Sequence, residues 1–398
     1  MKKSYTEAAE KMDASRQFCP SLECKSRGQS GQGNIVIHQN NRPRYKCKTC
    51  GKTFSARVGT ALEGIRSSEE DYVKVIPLLA HGTPTQAIVH AFRMDERTVA
   101  KWREHAGIHC ELVHKDKIEG GILDLIHVQA DEIWVKMKGT VVWVALAIMI
   151  STRLWIAVEV SKKRDSDLTD NLMRQVRRCA RSLCAILICT DGFPAYPKSI
   201  IKAFRTKVKD TPGPGASKKV GWPRLYIATV IKRTAKRRVT EVIRRMSYGQ
   251  WRKAKKLIKA SKGGKKVNTS FIERFNGTIR ERFAPLTRKC RYAAAKITTV
   301  HTGIYLIGCV YNFCSPHDEL SKSKTKGGFG FSCTPAMASG LTDHAWSVRE
   351  LLTYKVALPP LPLPKKRGRP RTKSLQNAPV PKKRVVRLRK GALCASTT

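Results

Sequence analysis

Three apolar runs in close succession constrain this chain most. They are "LIHVQADEIWVKM" (125–137), "VVWVALAIMI" (141–150) and "RLWIAVEV" (153–160), all rich in Val, Ile and Trp. Such runs predict strands. The segment "DSDLTDNLMRQVRRCARSL" then reads as a helix, and "CAILICT" (184–190) as a buried strand that ends at Asp191. The order β-β-β-α-β predicts a mixed α/β sheet with helices packed on it. The longest apolar run, 141–150, is ten residues, too short to cross a bilayer and right for a buried strand.

Charge narrows the partner. The 398 residues hold 77 Lys+Arg against 30 Asp+Glu, a formal net charge of +47. That excess predicts a polyanion partner, and nucleic acid is the first candidate, because neutralising phosphates releases counterions. No basic amphipathic helix stands out, so a membrane surface is not the expected partner. The opening "MKKSYTEAAEKMD" lacks an apolar signal core. Most of the thirteen cysteines are scattered, which predicts a reducing interior rather than a disulfide framework.

Four cysteines are different. Cys19, Cys24, Cys47 and Cys50 form C-x4-C, a 22-residue gap and C-x2-C. Paired thiolate knuckles at that spacing suit one tetrahedral Zn²⁺, which folds a unit too small for its own core. The alternatives are ordinary buried thiols or a redox C-x-x-C, the latter lacking its usual βαβ context here. The next segment, 69–107, has helical periodicity, Thr83-Pro84 at a helix start and Asp95 as an N-cap. Three short helices, the last presenting Arg97, Thr98, Lys101 and Arg103, read as a DNA-binding helix-turn-helix. Against this stands a helical linker with a solvated charged face.

Three acids suit phosphoryl transfer. Asp131 lies inside the first strand, where an acid is costly unless it is paired or metal-bound. Asp191 stands at a strand end, where sites form in α/β sheets. Glu273 lies in "NTSFIERFNGTIRERF" (268–283), and helical spacing puts Glu273, Asn276, Gly277 and Arg280 on one face, where Asn276 is expected to touch DNA. Ile272, Phe275, Ile279 and Phe283 form the docking face beside it. The competing readings are plain. Ser270-x-x-Glu273 is also a capping box, Asp191 also a turn residue, and Asp131 also an acid whose neighbour Glu132 faces solvent.

"RYKCKTCGKTFS", "DEIW", "TDGFPAY", "NTSFIERFNGTIRERFAPLTRKCR" and "YNFCSPHDEL" together resemble the DDE transposases, and more narrowly those of the insertion-sequence-one type. The resemblance implies an RNase H-like catalytic sheet in which Asp131, Asp191 and Glu273 bind two Mg²⁺, with Arg280 as a basic helper. It also implies DNA-end recognition by the zinc ribbon and helix-turn-helix, a homo-oligomeric synapse and a prokaryotic, nucleoid-associated cytoplasmic protein. The Asp191–Glu273 interval is longer than in compact members and strongly basic.

The resulting organisation is a zinc ribbon (17–56), a helix-turn-helix (57–107), a linker (108–124) and a catalytic domain (125–320) with a basic insertion around 202–267. A C-terminal extension (321–358) and a Pro/Lys/Arg-rich tail (359–398) follow, the tail expected to be disordered. In the tail, Arg367-Gly368-Arg369-Pro370 resembles an AT-hook core, whose arginines lie in a narrow minor groove; a plain polybasic tail is the alternative. Two other functions compete with transposition: a non-catalytic DNA-binding regulator, and a nuclease without strand transfer.

Overall fold

The computed structural model describes residues 13–39, 44–137, 139–208, 218–236, 238–286, 294–321, 332–356 and 358. The tail 359–398, with Arg367 and Arg369, lies outside the described residues. Near the N-terminus, β1 (Ile35–Gln39), β2 (Arg44–Cys47) and β3 (Thr53–Ser55) form a small antiparallel sheet. Its core is short: Phe18, Ile35, Tyr45 and Phe54 pack with the four cysteines, of which Cys50 is only partly buried. So little apolar area does not hold a module unaided, and a metal or other staple is the usual remedy.

Three helices follow: α1 (Glu69–Ala80), α2 (Thr85–Phe92) and α3 (Glu96–Lys117). Asp95 caps α3 as the sequence predicts, accepting from the N–H groups of Arg97 (2.8 Å) and Thr98 (3.3 Å). The expected linker after residue 107 is not a linker, because α3 runs on through Lys117. Gly107 invites a helix stop in sequence, since glycine commonly ends helices. Its actual task is close approach. A Cβ built there falls 2.3 Å from the Thr302 carbonyl oxygen on the crossing helix α8 (Ile297–Cys309).

The main sheet has six strands: β4 (Ile126–Met137), β5 (Thr140–Met149), β6 (Trp155–Ser161), β7 (Ile186–Thr190), β10 (Leu225–Ala235) and β11 (Arg238–Tyr248). A separate hairpin, β8 (Arg205–Val208) and β9 (Lys218–Gly221), precedes the last two. The order across the main sheet is β11-β10-β7-β4-β5-β6. β4, β5 and β6 pair antiparallel, β7 lies parallel between β4 and β10, and β11 returns antiparallel. This mixed sheet fits an RNase H-like catalytic domain. β10 and β11 fall within 202–267, the stretch set apart in sequence as an insertion, and they complete the sheet.

Helices cover both faces. α4 (Ser166–Cys179) and α5 (Ala195–Ala203) lie on one side, where Gln175 bonds the Val158 N–H and Tyr196 bonds Glu132. α6 (Trp251–Ala260) and α7 (Ser270–Arg282) lie on the other: Ser261 meets His127, and Gln129 accepts from the N–H groups of Phe271 and Ile272. The alternation of β4 thus decides which helix each residue meets. Behind α8, Asn312 bonds both the N–H and the C=O of Trp155 (3.0 and 2.8 Å), clasping the start of β6. The chain then returns to its beginning: the Ala61 N–H bonds Leu352 O (2.8 Å) and the Val356 N–H bonds Gly59 O (3.1 Å). Among the described residues, no helix is long and apolar enough to cross a membrane.

The α3–α8 crossing generates a test. Gly107→Ala forces the two helices apart and should destabilise the protein by about 1–3 kcal/mol, the usual cost of overpacking. The measurement is denaturant unfolding of the full chain. An unchanged midpoint would mean that the crossing is looser than the geometry describes.

Candidate active site

Register builds the site. The last β4–β7 pair is Ala130↔Thr190, so the next residues, Asp131 and Asp191, emerge side by side where β7 ends. An Asx turn holds Asp191, whose Oδ1 accepts the Phe193 N–H at 3.0 Å. Asp131 accepts from the Glu132 N–H (2.9 Å) and from Asn276 Nδ2 of α7 (2.9 Å). Burial, then the nearby charges of Asp191 and Glu132, push its carboxyl up to about 7.

Glu132 is the residue that sequence reasoning missed. Strand alternation turns it away from Asp131, but towards α5 rather than solvent, and its side chain is 1% exposed. Tyr196 donates to it at 2.9 Å and Arg164 Nε at 2.6 Å. Burial and Asp191 raise its carboxyl, while Arg164 and Tyr196 oppose the rise. Asp131, Glu132 and Asp191 each bring a carboxylate oxygen within 4.8 Å of the others. Arg164 also reaches Asp191 (3.4 Å) and stacks between Trp143 and Phe193, at 5.1 and 4.3 Å from their centroids. Nothing in the local sequence marks Arg164 as part of a site.

Glu273 faces the same space without joining that cluster. With Asp191, Arg164 and Lys232 it lines a cleft of about 410 Å³. It pairs with Lys232 at 2.5 Å and accepts from Thr269 Oγ1 at 2.5 Å. The alternative capping box does not form. Thr269, not Ser270, is the N-cap of α7, and it makes no side-chain cap bond. The apolar face of α7 is as the sequence predicts, with Ile272, Phe275 and Ile279 buried, and Phe283 buried just beyond its end. Asn276, expected to touch DNA, is 1% exposed and bonds Asp131. Arg280 lies further along α7 and is half-buried.

Hard oxygen donors gathered this closely are a fitting bed for a divalent ion such as Mg²⁺, which favours carboxylates. Soft donors gather at the other end of the chain. Cys19, Cys24, Cys47 and Cys50 converge within 4.8 Å. The Sγ atoms of Cys19 and Cys50 are 3.6 Å apart, and those of Cys24 and Cys47 are 3.8 Å apart. Four sulfurs tetrahedrally placed about 2.3 Å from one ion lie roughly 3.8 Å from each other. Gly51, at φ 72°, completes the second knuckle in a conformation that suits glycine. Burial opposes the Cys47 thiolate, but the Cys50 and Thr49 N–H groups bring it down to about 7. On α3, Arg97 and Lys101 are exposed, whereas Thr98 and Arg103 are half-buried.

Residues 126–212 match the model of a family described as a DDE domain. Over those residues the chain is similar to a DDE transposase domain. No curated protein matches the chain. The match takes in Asp131 and Asp191 of the transposase domain and ends before β10, β11 and α7. A transposase domain acts on DNA, in keeping with the net charge of +47.

The crowding of the transposase acids predicts how metal acts on stability. At a hundred times its dissociation constant, a divalent ion bound only by the folded state adds about 2.7 kcal/mol. Mg²⁺ should therefore raise the melting temperature of the parent. Asp131→Asn removes one of the repelling charges. It should melt no lower than the parent in chelator and gain little from Mg²⁺. A full Mg²⁺ response in the variant would place the ion elsewhere.

Proposed function

We propose that this protein cleaves the ends of its own mobile element and joins them to target DNA. The observation that carries the reading is the register that sets Asp131 beside Asp191, with Glu273 lining one cleft with Asp191. Asp131, Asp191 and Glu273 would hold two Mg²⁺, with Glu132 close enough to contribute. Ions held there would supply activation of the attacking oxygen and stabilisation of the leaving one in an in-line displacement.

The chain's own groups do the rest. Asn276 fixes the Asp131 carboxylate through its bond at 2.9 Å. Arg164 and Lys232 balance the acids and release them as ions and phosphate enter. Arg280, on α7, is the basic helper for the DNA backbone. The same site first opens a phosphodiester to free a 3′-hydroxyl, then directs that hydroxyl at target DNA. A scaffold serving only as a regulator has no use for acids crowded at this cost, which favours the enzyme over the regulator.

The N-terminal module reads the ends. The four thiolates hold one Zn²⁺ and make β1–β3 a zinc ribbon. The unit α1–α3 is the helix-turn-helix, with Arg97 and Lys101 best placed to meet DNA and Thr98 and Arg103 supporting them. Arg367 and Arg369 add minor-groove contacts as an AT-hook. Two ends must be held together, so the working form is a homo-oligomer.

Two tests follow. Glu273→Gln leaves α7 intact, because Glu273 makes no cap, but an amide is a poor ligand for a hard cation. The variant should fold and bind end DNA as the parent does, yet lose strand cleavage and joining in Mg²⁺ by at least a hundredfold. Near-parental cleavage would pass the third ligand role to Glu132. For the thiolates, metal analysis should return about one zinc per chain, and Cys47→Ser should abolish both the zinc and end binding. Zinc-free protein that still binds ends would overturn that assignment.

A further inference from the structure

Asp191 lies at the foot of a notch. β7 stops at Thr190, which pairs with Ala130 of β4 on one side and Thr229 of β10 on the other. Both neighbours run on, β4 to Met137 before turning into β5, and β10 to Ala235 before turning into β11. Two hairpins therefore flank Asp191 with one strand missing between them. Two interstrand spacings set their backbones about 10 Å apart. One sugar–phosphate strand fits that gap. Paired DNA does not, since its major groove alone is about 12 Å wide.

The two walls differ in chemistry. On the β10–β11 wall Lys232, Arg233, Lys236 and Arg238 are all exposed. On the β4–β5 wall stands Trp134, directly opposite Trp143 and 56% exposed. Trp134 follows Glu132 by two residues, so it shares that face of β4, about 7 Å along the strand. Arg164 covers Trp143 and leaves the Trp134 indole open to solvent. A single exposed tryptophan is unremarkable on a surface. One at the rim of an acid cluster, across the end of β7 from a hairpin rich in exposed cations, is open to a ligand. Aromatic platforms beside a basic track are how proteins hold unpaired strands, because every base has a π-face to stack.

We propose that the notch takes one unpaired DNA strand, with Trp134 stacking on a base next to the phosphate to be cut and the β10–β11 hairpin holding the backbone. The inference rests on the transposase reading of the cleft and adds the form of its substrate: DNA locally opened at the reacting bond.

The test uses the full chain and two oligonucleotides of one sequence, one fully paired and one with a short unpaired flap. Binding is read by fluorescence anisotropy in chelator. The N-terminal module meets both alike, so the ratio of affinities isolates the notch. The parent should prefer the flap about tenfold. Trp134→Ala should erase most of that preference, Trp134→Phe should keep much of it, and Arg238→Ala should weaken flap binding more than duplex binding. Melting temperatures should not move for Trp134→Ala or Trp134→Phe, since the residue is exposed. Equal binding of the two DNAs by the parent, or an unchanged ratio in Trp134→Ala, overturns the proposal. Strand cleavage in Mg²⁺ separates the two ideas. A parent that keeps the flap preference without cutting sinks the transposase reading alone, and a Trp134→Ala variant that cuts with its ratio intact sinks only the notch.

Discussion

Like charges crowded where water is scarce repel strongly, and the sheet end of this protein is organised around containing that repulsion. Asp131, Glu132 and Asp191 meet at the end of β7 because two parallel strands fix their register, not because they attract each other. Each has a counterweight from a different element. Asn276 comes from α7, Tyr196 from α5, and Arg164 from the turn before α4. Arg164 is itself held between Trp143 and Phe193, so a mobile cation becomes a positioned one. Lys232 does the same for Glu273 from the β10 side. Misplacing any one of these elements leaves an acid uncompensated, which ties the docking of both helical layers to the integrity of the cleft.

The same interdependence runs through the apolar core. One continuous cluster joins Ala61, Tyr72 and Trp102 of the helical unit to Trp155, Ile304 and Phe313 of the catalytic half. His114 is sunk in that seam against Trp155 and Tyr305, bonded to the Ile156 carbonyl, and burial holds it neutral. The stretch after residue 347 closes the loop: Leu351 and Leu352 are buried, and the Leu351 carbonyl meets His109. A boundary drawn by composition at residue 107 therefore crosses a packed interior.

What the sequence disclosed depended on how local the signal was. The strands around Asp131 and Asp191 were legible because apolar runs broken by one acid have few explanations. The four cysteines were legible because their spacing is itself the geometry. Glu132 was not, since alternation says only that it faces away from Asp131, and a helix arriving from sixty residues on decides what waits there. Gly107 misled for a similar reason: alone it signals a helix end, and only the distant Thr302 explains it. β10 and β11 were hidden by their own charge, because their projecting halves carry Lys and Arg where strands usually alternate.

α3 has one more consequence. Its first turn carries Asp95-capped Arg97 and its last turns are embedded beside β6, with no joint between. A helix of 22 residues is a strut about 33 Å long, close to one turn of B-DNA. A strut, unlike a tether, transmits phase. If the N-terminal end grips DNA as proposed, the bond brought to Asp131 would lie a set number of base pairs away and on a set side of the duplex. Half a turn of extra DNA between them would then turn the bond away from the acids, however tightly the ends were held.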